Sequence, residues 1–155
     1  MNRQRQSRFE RLLDEHGASL VELAIVLPAF LLLLLGAVDF GRAYYLSMEI
    51  AGAAQAAAVY GSQNPTDTAG MQLAALKDAP NVTNASVASA TYGCECSDGS
   101  NYSASCSTTP SCTTTTSLYR VDVTVTATYT PLFPWPGIPS SIAFSSSASM
   151  RSAGS

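Results

Sequence analysis

The sequence predicts an α+β protein: a long N-terminal helix, its lower half able to span a membrane, packed on a small antiparallel β-sheet. Two observations predict it. Residues 23–38 carry no charge, and small and apolar residues continue beyond them at helical spacing as far as Tyr60. Farther on, residues 118–130 read LYRVDVTVTATYT, in which Tyr119, Val121, Val123 and Val125 alternate with Arg120, Asp122, Thr124 and Thr126. Period two is the mark of a strand with one buried face. A one-sided helix and one-sided strands must cover each other, which is the layer logic of an α+β domain.

The first element follows from length and charge. Residues 18–38 hold one ionisable group, Glu22, and about 20 apolar residues suffice to cross a bilayer. Arg3, Arg5, Arg8 and Arg11 precede the run. The positive-inside rule then puts the N-terminus in the cytoplasm and the remainder outside. No A-x-A cleavage site follows the apolar run before Asp39, so the segment reads as a retained anchor rather than an ordinary signal peptide. Phe40, Tyr44, Met48, Ala51, Ala54 and Ala58 continue one helical stripe. Tyr60-Gly61 and Asn64-Pro65 predict its end, with Gly61 as a left-handed cap. The helix is therefore expected from about Ala18 to Tyr60, with Pro28 removing one backbone donor and bending it.

A short helix is predicted over Asp67–Lys77 with Thr66 as N-cap, ended by Asp78-Ala79-Pro80-Asn81. Val82–Tyr92 is weakly strand-like, Leu118–Thr130 is the clearest strand, and Ser141–Met150 is the last. LFPWPGIP, residues 132–139, connects the last two. Its Trp135 reads either as a plug for the end of the core or as an exposed contact to a neighbouring subunit or the membrane surface. The resulting organisation is a basic leader (1–17), a transmembrane segment (18–39) and an extracytoplasmic helix extension with a small β domain (40–155).

Composition excludes several function classes. After residue 17, four basic groups stand against eight acids, which leaves no electrostatic footprint for nucleic acid. The one histidine, His16, lies outside the predicted globular part, so a histidine-based triad is not expected there. No catalytic constellation, cofactor motif or metal motif is present, and the sequence predicts a protein that is not an enzyme. Cys94, Cys96, Cys106 and Cys112 all follow the span, where an oxidising compartment favours disulfides. Bridging Cys94 to Cys96 is sterically poor, because residues two apart on an extended chain lie roughly 7 Å apart. Two pairings stay open: 94–112 with 96–106, nested as suits a hairpin-like loop and preferred for that reason, or 94–106 with 96–112. Either staples a polar loop. Zinc is the competing reading, against which stands the lack of paired C-x2-C knuckles.

Residues 16–42, HGASLVELAIVLPAFLLLLLGAVDFGR, resemble the TadE-like family of the tight-adherence pilus systems. The resemblance rests on Gly17-Ala18, Glu22, Ala24, Leu27-Pro28, the leucine run and the end motif Asp39-Phe40-Gly41-Arg42; beyond residue 60 only the order of strand, Pro-rich connection and strand agrees. It implies a pilin-like inner-membrane protein. A prepilin-type peptidase would cut after Gly17, making Ala18 the new N-terminus and Glu22 the fifth mature residue. Glu22 would then pair with the α-amino group of a neighbouring subunit and set the register of the assembled helices, a role of the kind buried ionic groups can play. The implied function is a minor pilin or pseudopilin of a tight-adherence pilus or secretion apparatus. Its implied partners are the inner membrane, the peptidase, other pilin subunits and the assembly platform. The competing function is an uncleaved single-pass protein whose periplasmic domain binds a ligand or envelope component.

Overall fold

The computed structural model of the chain describes residues 3–106, 110–112 and 116–152, and of residues 3–16 and Ala18 only the backbone. Two helices, α1 (Arg3–Gln63) and α2 (Thr68–Asp78), precede three strands, β1 (Ser86–Cys96), β2 (Ser117–Tyr129) and β3 (Ile142–Ser152). The class is α+β, as predicted. The chain divides into two compact units, residues 1–41 and 42–155.

The first unit is helix alone. It begins at Arg3, not near Ala18 as expected. The segment before Gly17, RQRQSRFERLLDEH, is built largely of Arg, Gln, Glu and Leu, which lose little side-chain freedom in a helix. Of the arginines predicted to set topology, and of His16, only the backbone is described. Pro28 sits inside the helix, and α1 continues through it.

In the second unit the sheet order is β1-β2-β3, with both pairings antiparallel. Central β2 buries Val121, Val123 and Val125 completely on one face, the alternation read from the sequence. Facing them in one core are Ile50, Ala53, Ala54 and Ala57 of α1 and Met71 and Ala75 of α2. The predicted helix stripe holds at Ala54 and Ala58, both fully buried, but not at its start. Tyr44 and Met48 are half exposed and Phe40 is 76% exposed, whereas the buried row starts at Ile50 and runs through the alanines to Gly61. Alanines carry too little apolar surface for sequence periodicity to reveal which side they bury, yet their small size is what lets α1 approach the valine row.

Gly61 shows that closeness most directly. It was expected as a left-handed cap, but it lies within α1, which runs on to Gln63, and it is not among the positive-φ glycines. A Cβ added there would stand 2.8 Å from Met71 Cε and 3.1 Å from Val121 Cγ2. Glycine is needed for close approach, not for a turn. Met71 is fully buried, and Met71→Ala is expected to destabilise by about 2–5 kcal/mol through lost burial and the cavity left behind. Gly61→Ala alone is expected to destabilise by about 1–3 kcal/mol through overpacking. In the Met71→Ala background the same change should stabilise, because the methyl enters the vacated space and alanine favours helix by about 1 kcal/mol over glycine. Urea unfolding of the four variants reads the coupling; simple additivity would show that the two sites do not share this space.

The turn from α1 to α2 is held by Asp67, which is the N-cap in place of the expected Thr66. Its Oδ1 accepts the Gly70 N–H at 2.9 Å, and its Oδ2 accepts the Tyr60 hydroxyl at 2.6 Å. Tyr60 and the Gly70 amide hold the Asp67 carboxyl below its ordinary range, since both favour the charged form. The same bond pushes the Tyr60 phenol up.

Candidate functional site

Residues 17–42 of α1 hold the features singled out in the sequence. Gly17 is exposed, and a Cβ added to it would meet nothing within 4 Å. Gly17-Ala18 lies inside the helix rather than at its start. Glycine weakens a helix interior by roughly 0.5–1 kcal/mol relative to alanine, so Gly17 is a weak point of the helix just ahead of the apolar segment. Glu22 is exposed one helical turn farther on, amid apolar neighbours that are exposed themselves: Leu20, Ile25, Phe30 and Leu33 among them. From Ser19 onward α1 is long and apolar enough to cross a membrane, its best stretch reaching a mean hydropathy of 2.6 with none of it buried. A helix that exposes leucine, isoleucine and phenylalanine on every side is suited to lipid or to a bundle of like helices, not to water.

At the far end of this segment the four motif residues separate. Asp39 is buried, at 5% exposure, while Phe40 and Gly41 are exposed. Arg42 opens the second unit, and its guanidinium lies 5.8 Å from the centre of the Tyr129 ring, a cation–π distance.

The four cysteines form two disulfides, Cys94–Cys106 and Cys96–Cys112. The nested pairing preferred from the sequence is therefore incorrect. The reason is the path of the loop. After β1 the chain turns back so that Ser103 exchanges both backbone hydrogen bonds with Cys94, and this brings Cys106 to the Cys94 side. The loop must then return to begin β2 opposite Cys96, where Ser97 N–H donates to Thr116 O and Ser117 is the register partner of Cys96. Cys112, a few residues upstream, arrives beside Cys96. A simple hairpin would have nested the bridges; a loop that doubles back beside β1 interleaves them.

Between the two strand cysteines stands a residue that sequence reasoning missed. Glu95 is 1% exposed and takes Arg120 at 3.4 Å and Arg151 at 2.5 Å. Arg120 also pairs with Asp122 at 3.1 Å, and its ring partner is Tyr102 in the disulfide loop, 5.5 Å from the guanidinium. Asp122 first, then Glu95, raises the Arg120 guanidinium further above its already high ordinary value. The only sequence signal was indirect: a carboxylate flanked by two disulfide cysteines has little freedom to reach water. Among the described residues no group of three His, Cys, Asp or Glu side chains is placed to hold a metal ion, and the cysteines are consumed by disulfides. The cluster joins β1, β2 and β3 electrostatically, with Tyr102 of the loop against Arg120.

No curated protein and no solved structure matches the chain. Residues 17–59 match the family model described as TadE-like protein, a match that begins at Gly17 and takes in Glu22 and the Asp39–Arg42 end motif. Over residues 17–59 the chain is similar to the TadE-like family, the one that its Gly17-to-Arg42 motif resembles.

Proposed function

We propose that this protein is a minor pilin or pseudopilin-like structural subunit of a tight-adherence pilus or secretion apparatus. It is held in the inner membrane by residues 18–39 before assembly, with residues 40–155 in the periplasm. A prepilin-type peptidase cuts between Gly17 and Ala18. The new α-amino group and Glu22 then stand about one helical turn apart, at one edge of the apolar segment. In a bundle of such helices the amine of one subunit and the carboxylate of another attract strongly where water is excluded. Apolar helix surfaces slide over one another with little preference, so one directional charge pair is enough to select an axial register. Other pilin subunits and the assembly platform are the partners, and the work of the protein is packing rather than chemistry.

The observation that carries this reading is the exposed apolar helix with a lone carboxylate, inside a family match that starts at Gly17. N-terminal sequencing and intact mass of the membrane-extracted protein test it. A mature chain starting at Ala18 in cells with the peptidase, and an intact leader in cells lacking it, is the expected result. A chain retaining Met1 or Asn2 in peptidase-competent cells overturns the processing step and favours an uncleaved, membrane-anchored binding domain.

A further inference from the structure

The loop between β2 and β3, residues 130–141, exposes several apolar side chains. Leu132, Phe133 and Ile138 are 54%, 44% and 49% exposed, and Trp135 is partly so. We propose that this loop docks into the headgroup boundary of the membrane, giving the second unit its own contact with lipid beside the helix. The proposal rests on the reading of residues 18–39 as a membrane span.

Location selects the occupant. Tyr129 is the last residue of β2, and Arg42 lies over its ring. The loop therefore leaves the sheet at the end of the second unit where the chain enters it. Arg42 is four residues beyond Val38, where the uncharged run ends, a rise of only about 6 Å along a helix. The root of the loop is thus separated from the end of the uncharged run by about one helical turn and one ring contact.

Chemistry agrees with the location. Residues 123–150 hold no charged side chain, so the loop enters the interface without desolvating an ion. Pro131, Pro134, Pro136 and Pro139 have no backbone N–H, which removes four of the donors that make irregular backbone unfavourable near hydrocarbon. The tip is closed internally: Ile138 N–H donates to Trp135 O at 3.1 Å. Pro136 and Gly137 stand between them, and Gly137 has φ 84°, the type II turn arrangement that needs glycine at its third position. The turn sets the apolar Trp135 and Ile138 side by side. Tryptophan, with an apolar body and one N–H, is the side chain most favoured at the level of the headgroups.

Trp135 is the only tryptophan in the chain, so its emission reports on the loop directly. The full chain, reconstituted in phosphatidylcholine–phosphatidylglycerol vesicles, is compared in unbrominated lipid and in lipid brominated near the headgroup end or deep in the acyl chain. Loss of Trp135 emission is expected, greater with shallow than with deep bromines, and Phe133→Ser with Ile138→Ser should reduce it while leaving the circular dichroism of the fold unchanged. Emission indifferent to bromine overturns the proposal, whether the ring is open to aqueous iodide or shielded by its own core or a second copy. A second reporter, Leu33→Trp in a Trp135→Phe background, tests the span separately. If deep bromines quench it while Trp135 is indifferent, the loop contact fails and the span stands; if it is not quenched, the span reading fails and the loop contact fails with it.

Discussion

Glu22→Ala is expected to leave the protein in the membrane and cut at Ala18, yet to remove it from sheared filaments. The two halves of that result have different physical origins. Acidic groups oppose insertion of a helix, so replacing this one makes α1 a better membrane segment. Assembly loses the only carboxylate available to meet a neighbour's amine within the apolar segment, Glu22 being the one ionisable residue between Ala18 and Val38. Two unit charges about 4 Å apart at an intermediate effective dielectric attract strongly enough to shift a population on the order of 100-fold to 1000-fold. Immunoblots of sheared and membrane fractions, normalised to total protein, read the shift. Glu22→Gln, which keeps the shape without the charge, should behave as Glu22→Ala does, and Glu22→Asp should retain part of the incorporation. Filament incorporation at the normal level for Glu22→Gln would show that register is set by something other than charge.

Removing both arginines from Glu95 is expected to have the largest effect on the stability of the second unit. Glu95 is almost fully buried and its two ion pairs come from Arg120 and Arg151. The arginines are themselves 38% and 51% exposed, so they keep part of their hydration, and losing one leaves the other in place. Arg151→Ala alone should therefore destabilise by only about 1–2 kcal/mol. Arg120→Ala with Arg151→Ala strands a buried carboxylate, for which about 3–5 kcal/mol is expected. Adding Glu95→Met to that pair should restore most of the loss, because a buried ionic cluster exchanged for apolar side chains of similar size is often neutral. Urea unfolding of the detergent-solubilised chain, with disulfides intact, provides the comparison. A double arginine variant within about 1 kcal/mol of the parent would mean that Glu95 finds water or another partner, contrary to its burial.

The interleaved disulfides and the Glu95 cluster act on the same loop. Residues between β1 and β2 are rich in serine, threonine and glycine, and the described ones bury little that would order them. Two cross-links remove conformational freedom from the unfolded chain, and the arginines tie the end of β1, from which the loop departs, to β2 and β3. Tyr102, lying against Arg120, adds an aromatic cover.

What the sequence by itself determined is what local pattern can carry: the apolar run with its single carboxylate, the period-two valines of β2, the three-strand order and the Gly17-to-Arg42 motif. Each depends on residues close together in the chain, where hydrophobic period and turn chemistry decide the outcome. Only the tertiary structure decided the rest. The face that α1 buries was read only in part: Ala54 and Ala58 lie on it, but Phe40, Tyr44 and Met48 do not. Gly61 passes in sequence for a helix stop, and only the nearness of Met71 and Val121 shows it to be a point of contact. The pairing of the cysteines followed the path of a loop that doubles back beside β1, which no spacing encodes. Arg120 and Arg151 lie 25 and 56 residues from Glu95, and burial of one charge by two distant ones is a property of the folded sheet alone.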